Sequence, residues 1–408
     1  MKRKDKKILK DVEAQYSRWI FPKPISDLNA PEDGVTIDGF APRNLFYAYW
    51  PAQAYREDLD ILVAGCGANA AARYAFYHPN AQVVGIDISE ASLDHERSLQ
   101  KKHNLKNLLL ERCSIEEVDS LKKSFDFIDA TGVLHHLPNP SIGLSALRNV
   151  LRIDGVVGIM LYGKYGRVGV YMLQEFFRIL GLEQTENDVA RMKESLHALK
   201  SDHFAQLILK YSKDATFDAG LVDLFLHKSD TPFNVSDCLE LLEDAEMKFQ
   251  GWVENFYYYP DGQIDTRNPI FSSIAALDER EQWKAMELFF GTLPRHAFFA
   301  CRNDRDEHSY RISFEENDFL NYIPISRANK TTSSDRFGKK NLWIQKIPFP
   351  AIPLNEAEGK ILSFVDGKKT IAQCLQLSNI GLGKEESITM SRNLFSKLWR
   401  SGLLFFRK

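Results

Sequence analysis

Several protein classes are excluded by what this chain lacks. Its 408 residues hold five cysteines: Cys66, Cys113, Cys238, Cys301 and Cys374. They are an odd number at scattered positions with no Cys-x-x-Cys pair, so neither a disulfide framework nor a structural zinc site is expected. No apolar run approaches the ~18–20 residues that a membrane helix needs. Met1–Lys10 is basic and polar with no apolar stretch behind it, so no secretory leader is expected and the expected location is cytoplasmic. Net charge is nearly absent too, with 52 Lys and Arg against 55 Asp and Glu, and no internal repeat is visible. What remains is the composition of an ordinary globular protein, 44% hydrophobic and 26% charged, long enough for two to three domains at ~150 residues each.

The near-zero total hides an asymmetry. From Lys339 to Lys408 there are 12 basic and 5 acidic residues, a surplus of +7 that leaves −10 for the rest of the −3 chain. The C-terminal segment is therefore a separate electrostatic unit.

Asp60–Ala64 is a short apolar run that stops at Gly65-Cys66-Gly67 and feeds the helix-forming stretch Ala70–Phe76, which reads as strand, tight turn, helix. The pattern recurs. Gln82–Ile86 is a second strand ending at Asp87, and Ser89 is placed to cap the next helix. Further strands are expected at Asn107–Glu111, Phe125–Ala130 and Gly155–Tyr162, each after a helical stretch. Continuous apolar strands alternating with helices imply an α/β fold, a doubly wound, mostly parallel sheet covered on both faces. From Val168 to His227 the apolar spacing turns helical, as in Val170, Leu173, Phe176, Phe177 and Leu180. Late strands are expected at Lys248–Phe256 and His296–Cys301 around a second helical excursion. The domain expectation is an N-terminal extension over 1–58, a nucleotide-binding sheet domain over 59–305 with inserts near 168–230 and 261–290, a linker over 306–340, and a C-terminal domain over 341–408.

A strand that stops at Gly-x-Gly presents bare backbone N–H groups and lets a ligand approach closely. Asp87 ends the next strand 20 residues after Gly67, where a carboxylate accepts hydrogen bonds from ribose hydroxyls. The spacing Gly65-x-Gly67-x-x-Ala70 fits a nicotinamide dinucleotide and S-adenosylmethionine equally, since both carry an adenosine ribose.

Three stretches together, Ile61–Gly67, Val84–Ser89 and Phe125–Pro140 with its Asp129-Ala130-Thr131-Gly132-Val133-Leu134-His135-His136 core, resemble the class I S-adenosylmethionine-dependent methyltransferases. Many members have an acidic residue where this chain has Ala64 and a third glycine where it has Asn69. The resemblance implies that Gly65, Cys66 and Gly67 face the methionine and ribose parts of the donor, Asp87 the ribose and Ile88 the adenine. Ser114 and Ile115 follow the third strand as adenine contacts, and Thr131, Gly132 and Val133 lie beside the sulfonium. The segment Gln15–Pro24 resembles the aromatic and proline-rich lid of some of these enzymes, with Tyr16 either capping the cofactor or latching to the sheet edge.

Methyl transfer needs an aligned nucleophile and a place for its proton. His135 and His136, after the fourth strand, are candidate bases or structural residues, and Asp129 either positions a substrate amine or is a satisfied structural carboxylate. Tyr162, Tyr165 and Arg167 follow the fifth strand as candidate substrate contacts. Trp252, Phe256, Tyr257, Tyr258 and Tyr259 make either a cage for a methylated ammonium or plain core.

Beyond residue 340 the punctuation is clear. Capping boxes are expected at Asn355/Glu358 and Thr370/Gln373, a third helix over Glu385–Arg400, and a strand over Gly402–Phe406. Ile352–Ile371 resembles the small peptide-binding winged-helix domains of the chaperone of pyrroloquinoline quinone biosynthesis, which implies an extended peptide added to a short sheet. The positive surplus, with Lys384, Arg392, Lys397 and Arg400, also admits nucleic-acid binding, and a dimerising role is open. The expectation is a methyltransferase acting on an N or O nucleophile of a peptide or protein. A small metabolite is the alternative substrate, and a nicotinamide oxidoreductase or a non-catalytic cofactor-binding protein are the alternative functions.

Overall fold

The computed structural model describes residues 3–29, 39–334 and 340–408. The chain forms two compact units, one of residues 1–44, 56–249 and 291–304, the other of residues 45–55, 250–290 and 305–408.

The first unit is built on β1 (Asp60–Ala64), β2 (Gln82–Asp87), β3 (Leu108–Arg112), β4 (Phe125–Thr131) and β5 (Leu151–Tyr162). With β6 (Met247–Trp252) and β7 (Arg295–Arg302) they make one sheet in the order β3-β2-β1-β4-β5-β7-β6. The first five strands are parallel, and β7 runs antiparallel to β5. This is the mostly parallel Rossmann-like arrangement that the alternating pattern predicts. The strands are apolar on both faces because helices cover both: Ile61, Phe127, Ile128, Val156 and Val157 are buried completely.

The helices of this unit are α1 (Arg3–Arg18), α2 (Pro42–Tyr49, whose end passes into the second unit), α3 (Ala70–Tyr77), α4 (Glu90–Lys102), α5 (Pro140–Asn149), α6 (Val168–Ile179), α7 (Glu186–His197), α8 (Gln206–Tyr211), α9 (Asp218–Phe225) and α10 (Val235–Asp244). Ser89 caps α4 by accepting from the Ser92 N–H. The run α6–α9 is the helical insert, closed on its own core of Val170, Leu173, Phe177, Met192, Val222 and Phe225.

The second unit holds α11 (Pro269–Ala275), α12 (Glu279–Phe290), β8 (Ile323–Ser326), β9 (Asn329–Ser334), β10 (Lys340–Gln345), β11 (Ile352–Leu354), α13 (Glu356–Ser363), α14 (Ile371–Ser378), α15 (Lys384–Arg400) and β12 (Leu404–Arg407). Both capping boxes form as the spacing predicts. Residues 250–290, from within β6 onward, group with the C-terminal residues, and their aromatics pack there. Trp252 stacks on Tyr258 at 3.6 Å and Tyr257 meets Phe349, so these rings are core and no open cage. The stretch expected as a linker contains β8, paired with β12, and β9, paired with β10. Its polar composition hid a strand because backbone pairing does not require apolar side chains. Residues 335–339 of that stretch lie outside the described residues.

Three of the four basic residues considered for nucleic acid have internal partners. Arg392 donates to the carbonyls of Phe314, Glu315 and Glu316, Lys397 pairs with Glu358, and Arg400 lies 3.9 Å from Asp261.

Candidate functional site

The C-terminal ends of β1, β2 and β4 form the first part of the site. Gly65 and Gly67 have φ of +69° and +54°, a backbone region open to glycine at no steric cost. A Cβ on Gly65 would lie 2.6 Å from Val133 Cγ2, and one on Gly67 2.8 Å from Pro22 Cδ. The turn is therefore bare both to permit its backbone and because β4's extension and the N-terminal segment pass over it. Asp87 is held at its strand end by the Gly67 N–H on Oδ2 and the Ser89 N–H on Oδ1, each at 2.8 Å. Burial raises its pKa, and these N–H donors oppose the rise. Gly65, Asp87, Ile88, Ser114, Gly132 and Val133 are half-buried and Thr131 is exposed, whereas Cys66 and Ile115 are closed into the core.

These residues fit an adenosine-type donor without a pyrophosphate. In a dinucleotide site the N-terminus of the helix after the glycine turn receives the phosphates. Here the Glu96 carboxylate, from α4, takes that position: its two oxygens accept the N–H groups of Ala71 and Ala72 at 2.9 and 2.8 Å. Glu96 is fully buried. A phosphate would meet a buried carboxyl group instead of free N–H donors.

Asn69, at the position of the family's third glycine, clamps the N-terminal segment. Its Nδ2 donates to the Lys23 carbonyl and its Oδ1 accepts the Ile25 N–H, at 2.9 and 3.1 Å. His95 reaches the Ile25 carbonyl at 2.8 Å.

The second part of the site is a buried polar chamber where β4 and β5 end against the helical insert. His136 Nδ1 lies 2.8 Å from the Ser229 carbonyl, which can only accept, so Nδ1 carries the proton and Nε2 keeps a lone pair. His227 has the opposite tautomer. Its Nδ1 accepts the Ser229 N–H at 3.0 Å, its Nε2–H donates to Tyr16 Oη at 3.1 Å, and Tyr16 donates to Asp223 Oδ1 at 2.9 Å. Tyr162 donates to the other Asp223 oxygen at 3.3 Å. Burial lowers the pKa of His135 and His227 well below the ordinary imidazole range and raises those of Tyr16 and Asp223.

Arg167 lies over the Tyr162 ring at 3.6 Å and 3.9 Å from Asp230 Oδ2. That same oxygen accepts from Gln174 at 3.0 Å. Among the described residues, five buried atoms in this chamber lack a well-aligned hydrogen bond, both ring nitrogens of His135, Nε and Nη2 of Arg167, and Asp230 Oδ1, although the Met160 carbonyl lies near His135 and the Tyr171 hydroxyl near Arg167.

Of the sequence candidates, His135, His136, Tyr16, Tyr162 and Arg167 converge here. Tyr16 meets the insert and not a sheet edge. Asp129 is buried and accepts from the Tyr74 hydroxyl and from the N–H and hydroxyl of Thr131. Tyr165 is 37% exposed on the loop and has no partner role in the chamber. Asp223, His227 and Asp230 were not legible as site residues. Their spacing, Asp-x3-His-x2-Asp, is a weak signal, and only the fold brings it to β4. Glu96 gave no signal at all.

Residues 56–207 match the family model described as a methyltransferase domain. An uncharacterized protein of Synechococcus sp. is 24% identical over 91% of this chain and 89% of its own length. The solved structure of PKMT2 from Rickettsia typhi in complex with AdoHcy covers 93% of this chain and 77% of that one, with a TM-score of 0.64 at 15% identity. A ubiquinone biosynthesis O-methyltransferase of Neisseria meningitidis is 29% identical over 24% of this chain and 41% of that enzyme.

Proposed function

We propose that this chain, an S-adenosyl-L-methionine-dependent methyltransferase, transfers the methyl group to an N or O nucleophile of a peptide or protein that docks beside the polar chamber. The observation that carries the macromolecular substrate is a row of exposed apolar side chains on α6: Val168, Met172, Phe176 and Ile179, the last 75% exposed. The row follows directly on Arg167 in the chamber, and its spacing of four, four and three residues puts it on one helix face. Phe204, Leu207 and Tyr211 are exposed in and before α8, and the Phe204–Ala205 backbone packs against Gly169 of α6. A small metabolite has no use for such a surface, whereas an extended chain does.

Gly65, Asp87, Ile88 and Ser114 would hold the donor, and the AdoHcy carried by the similarly folded PKMT2 supports that reading. The donor supplies a sulfonium-activated methyl group: a bond from the nucleophile to carbon forms as the carbon–sulfur bond breaks, and its electron pair stays on sulfur. The chain's own residues position the acceptor and remove its proton. His136 is the base, because its tautomer leaves Nε2 as the free lone pair. Tyr16 and Tyr162 fix Asp223 by donating to it.

A small-molecule acceptor is the second reading, favoured by the enclosure of the chamber around His135, which is 0% exposed. Incubation of the protein with radiolabelled donor and cell extract separates the two. Label is expected in the macromolecular fraction; label confined to small molecules overturns the peptide reading.

A further inference from the structure

Of the five atoms without hydrogen bonds in the chamber, the two on Arg167 are donors and the other three belong to His135 and Asp230, which lie beside His136. One ligand atom each from His135, His136 and Asp230 lies within 4.8 Å of the others. His136 offers a lone pair by its fixed tautomer, His135 has two unpartnered ring nitrogens, and Asp230 has an unpartnered Oδ1 on a side chain only 1% exposed. Buried polar atoms are almost always satisfied, so a His135 ring nitrogen and Asp230 Oδ1, left open beside the His136 lone pair, mark a place for a donor.

We infer that His135, His136 and Asp230 form a cradle for the ammonium group of the methyl acceptor, and therefore that the acceptor is an amine. This rests on the reading that the chamber takes the acceptor. An ammonium carries three N–H donors. Hydrogen bonds of about 2.8 Å diverging tetrahedrally from one nitrogen reach acceptors about 4.6 Å apart, which fits the observed spacing. Charge agrees. Asp223 and Asp230 face Arg167 in the chamber, a formal surplus of one negative charge that one ammonium neutralises. Asp214 also acts electrostatically on Arg167, and counting it together with Arg295, which acts on Asp214, leaves the formal surplus unchanged.

A divalent metal fits less well. It would turn the formal surplus from one negative to one positive charge. The second group with metal-ligand spacing, His136, Asp223 and His227, is wired against it, because the His227 nitrogen nearest Tyr16 carries a proton fixed by the Ser229 N–H on the other side. In the cradle His136 Nε2 takes one proton from the ammonium, and the neutral amine then inverts so that its lone pair faces the methyl carbon instead of His136. His135 and Asp230 hold the two remaining N–H groups.

The test uses the full chain loaded with S-adenosylhomocysteine and titrated calorimetrically with n-butylamine, with n-butanol as the matched control. Saturable binding of the amine and none of the alcohol is expected. Asp230→Asn should weaken amine binding about tenfold or more, as removal of a charged acceptor does, and leave S-adenosylhomocysteine affinity unchanged. His135→Phe provides a second variant, judged folded by the same unchanged affinity, and should weaken the amine as well. Equal binding of amine and alcohol, no amine binding, amine binding indifferent to both variants, or stoichiometric zinc that n-butylamine does not displace would each overturn the cradle. A second readout separates it from the peptide reading. Radiolabel moved to extract protein should survive alkali as N-methyl. Alkali-labile ester label in protein would leave the peptide reading standing and remove the amine, and alkali-stable label found only in small molecules would do the reverse.

Discussion

The Glu96 carboxylate accepts the Ala71 N–H at 2.9 Å, and its second oxygen reaches Ala72. A helix N-terminus that receives phosphate in dinucleotide enzymes is thus closed from inside by a residue of the neighbouring helix. Burial pushes the Glu96 pKa up to about 8 from an unfolded value of 4.5. Between those values the native state holds a proton that the unfolded chain has released, so this group lowers stability as pH rises, by up to about 1.4 kcal/mol per unit. Urea unfolding of the wild type at pH 5, 6.5 and 8 should show a midpoint that falls with pH. Glu96→Gln, which cannot titrate, should flatten that dependence. A wild-type midpoint that climbs over this range would contradict the assignment.

Asp87 anchors the turn through the Gly67 N–H, and in the proposed donor site its remaining lone pairs would face the ribose. Asp87→Ala should weaken S-adenosylhomocysteine by about 1.5–3 kcal/mol for each lost hydrogen bond to the charged group, measured by calorimetry. Affinity within twofold of the wild type would show that the donor lies elsewhere.

Asn69 holds the N-terminal segment by two backbone hydrogen bonds, to Lys23 and from Ile25. Asn69→Ala should speed exchange of the Ile25 amide by about fivefold, equivalent to one hydrogen bond of ~1 kcal/mol. Hydrogen exchange read by NMR checks this, with the amides of β4 as the unaffected reference.

Tyr16 joins His227 to Asp223 inside the chamber. Tyr16→Phe strands a buried carboxylate oxygen and should cost about 1–3 kcal/mol of stability, seen as a lower urea midpoint with the slope unchanged. A stability equal to the wild type would mean that water replaces the hydroxyl.

The exposed face of α6 gives a prediction about substrate rather than stability. Met172→Glu with Ile179→Glu should reduce label transfer to extract protein several-fold while leaving S-adenosylhomocysteine affinity intact, because both side chains already point to solvent. Undiminished transfer would remove the face as the docking surface.

Much of the first unit was legible in sequence because its signals are local. Asp60–Ala64 is both the expected and the observed first strand, and Ser89, Asn355 and Thr370 cap the helices their spacing announced. A strand end, a glycine turn and a cap are each decided within a few residues by backbone sterics and by where orphan N–H groups find partners. The chamber and the Glu96 closure are another matter. His136 and Ser229, Tyr16 and Asp223, Glu96 and Ala71 are separated by 93, 207 and 25 positions, and no local rule pairs them. The amino-acid order by itself determined the sheet, its glycine turn and the carboxylate at the next strand end. Only the tertiary structure decided which imidazole keeps its lone pair, which acceptors stay open, and that a buried glutamate bars phosphate, because a tautomer or an unmet hydrogen bond is set by the neighbours that folding supplies.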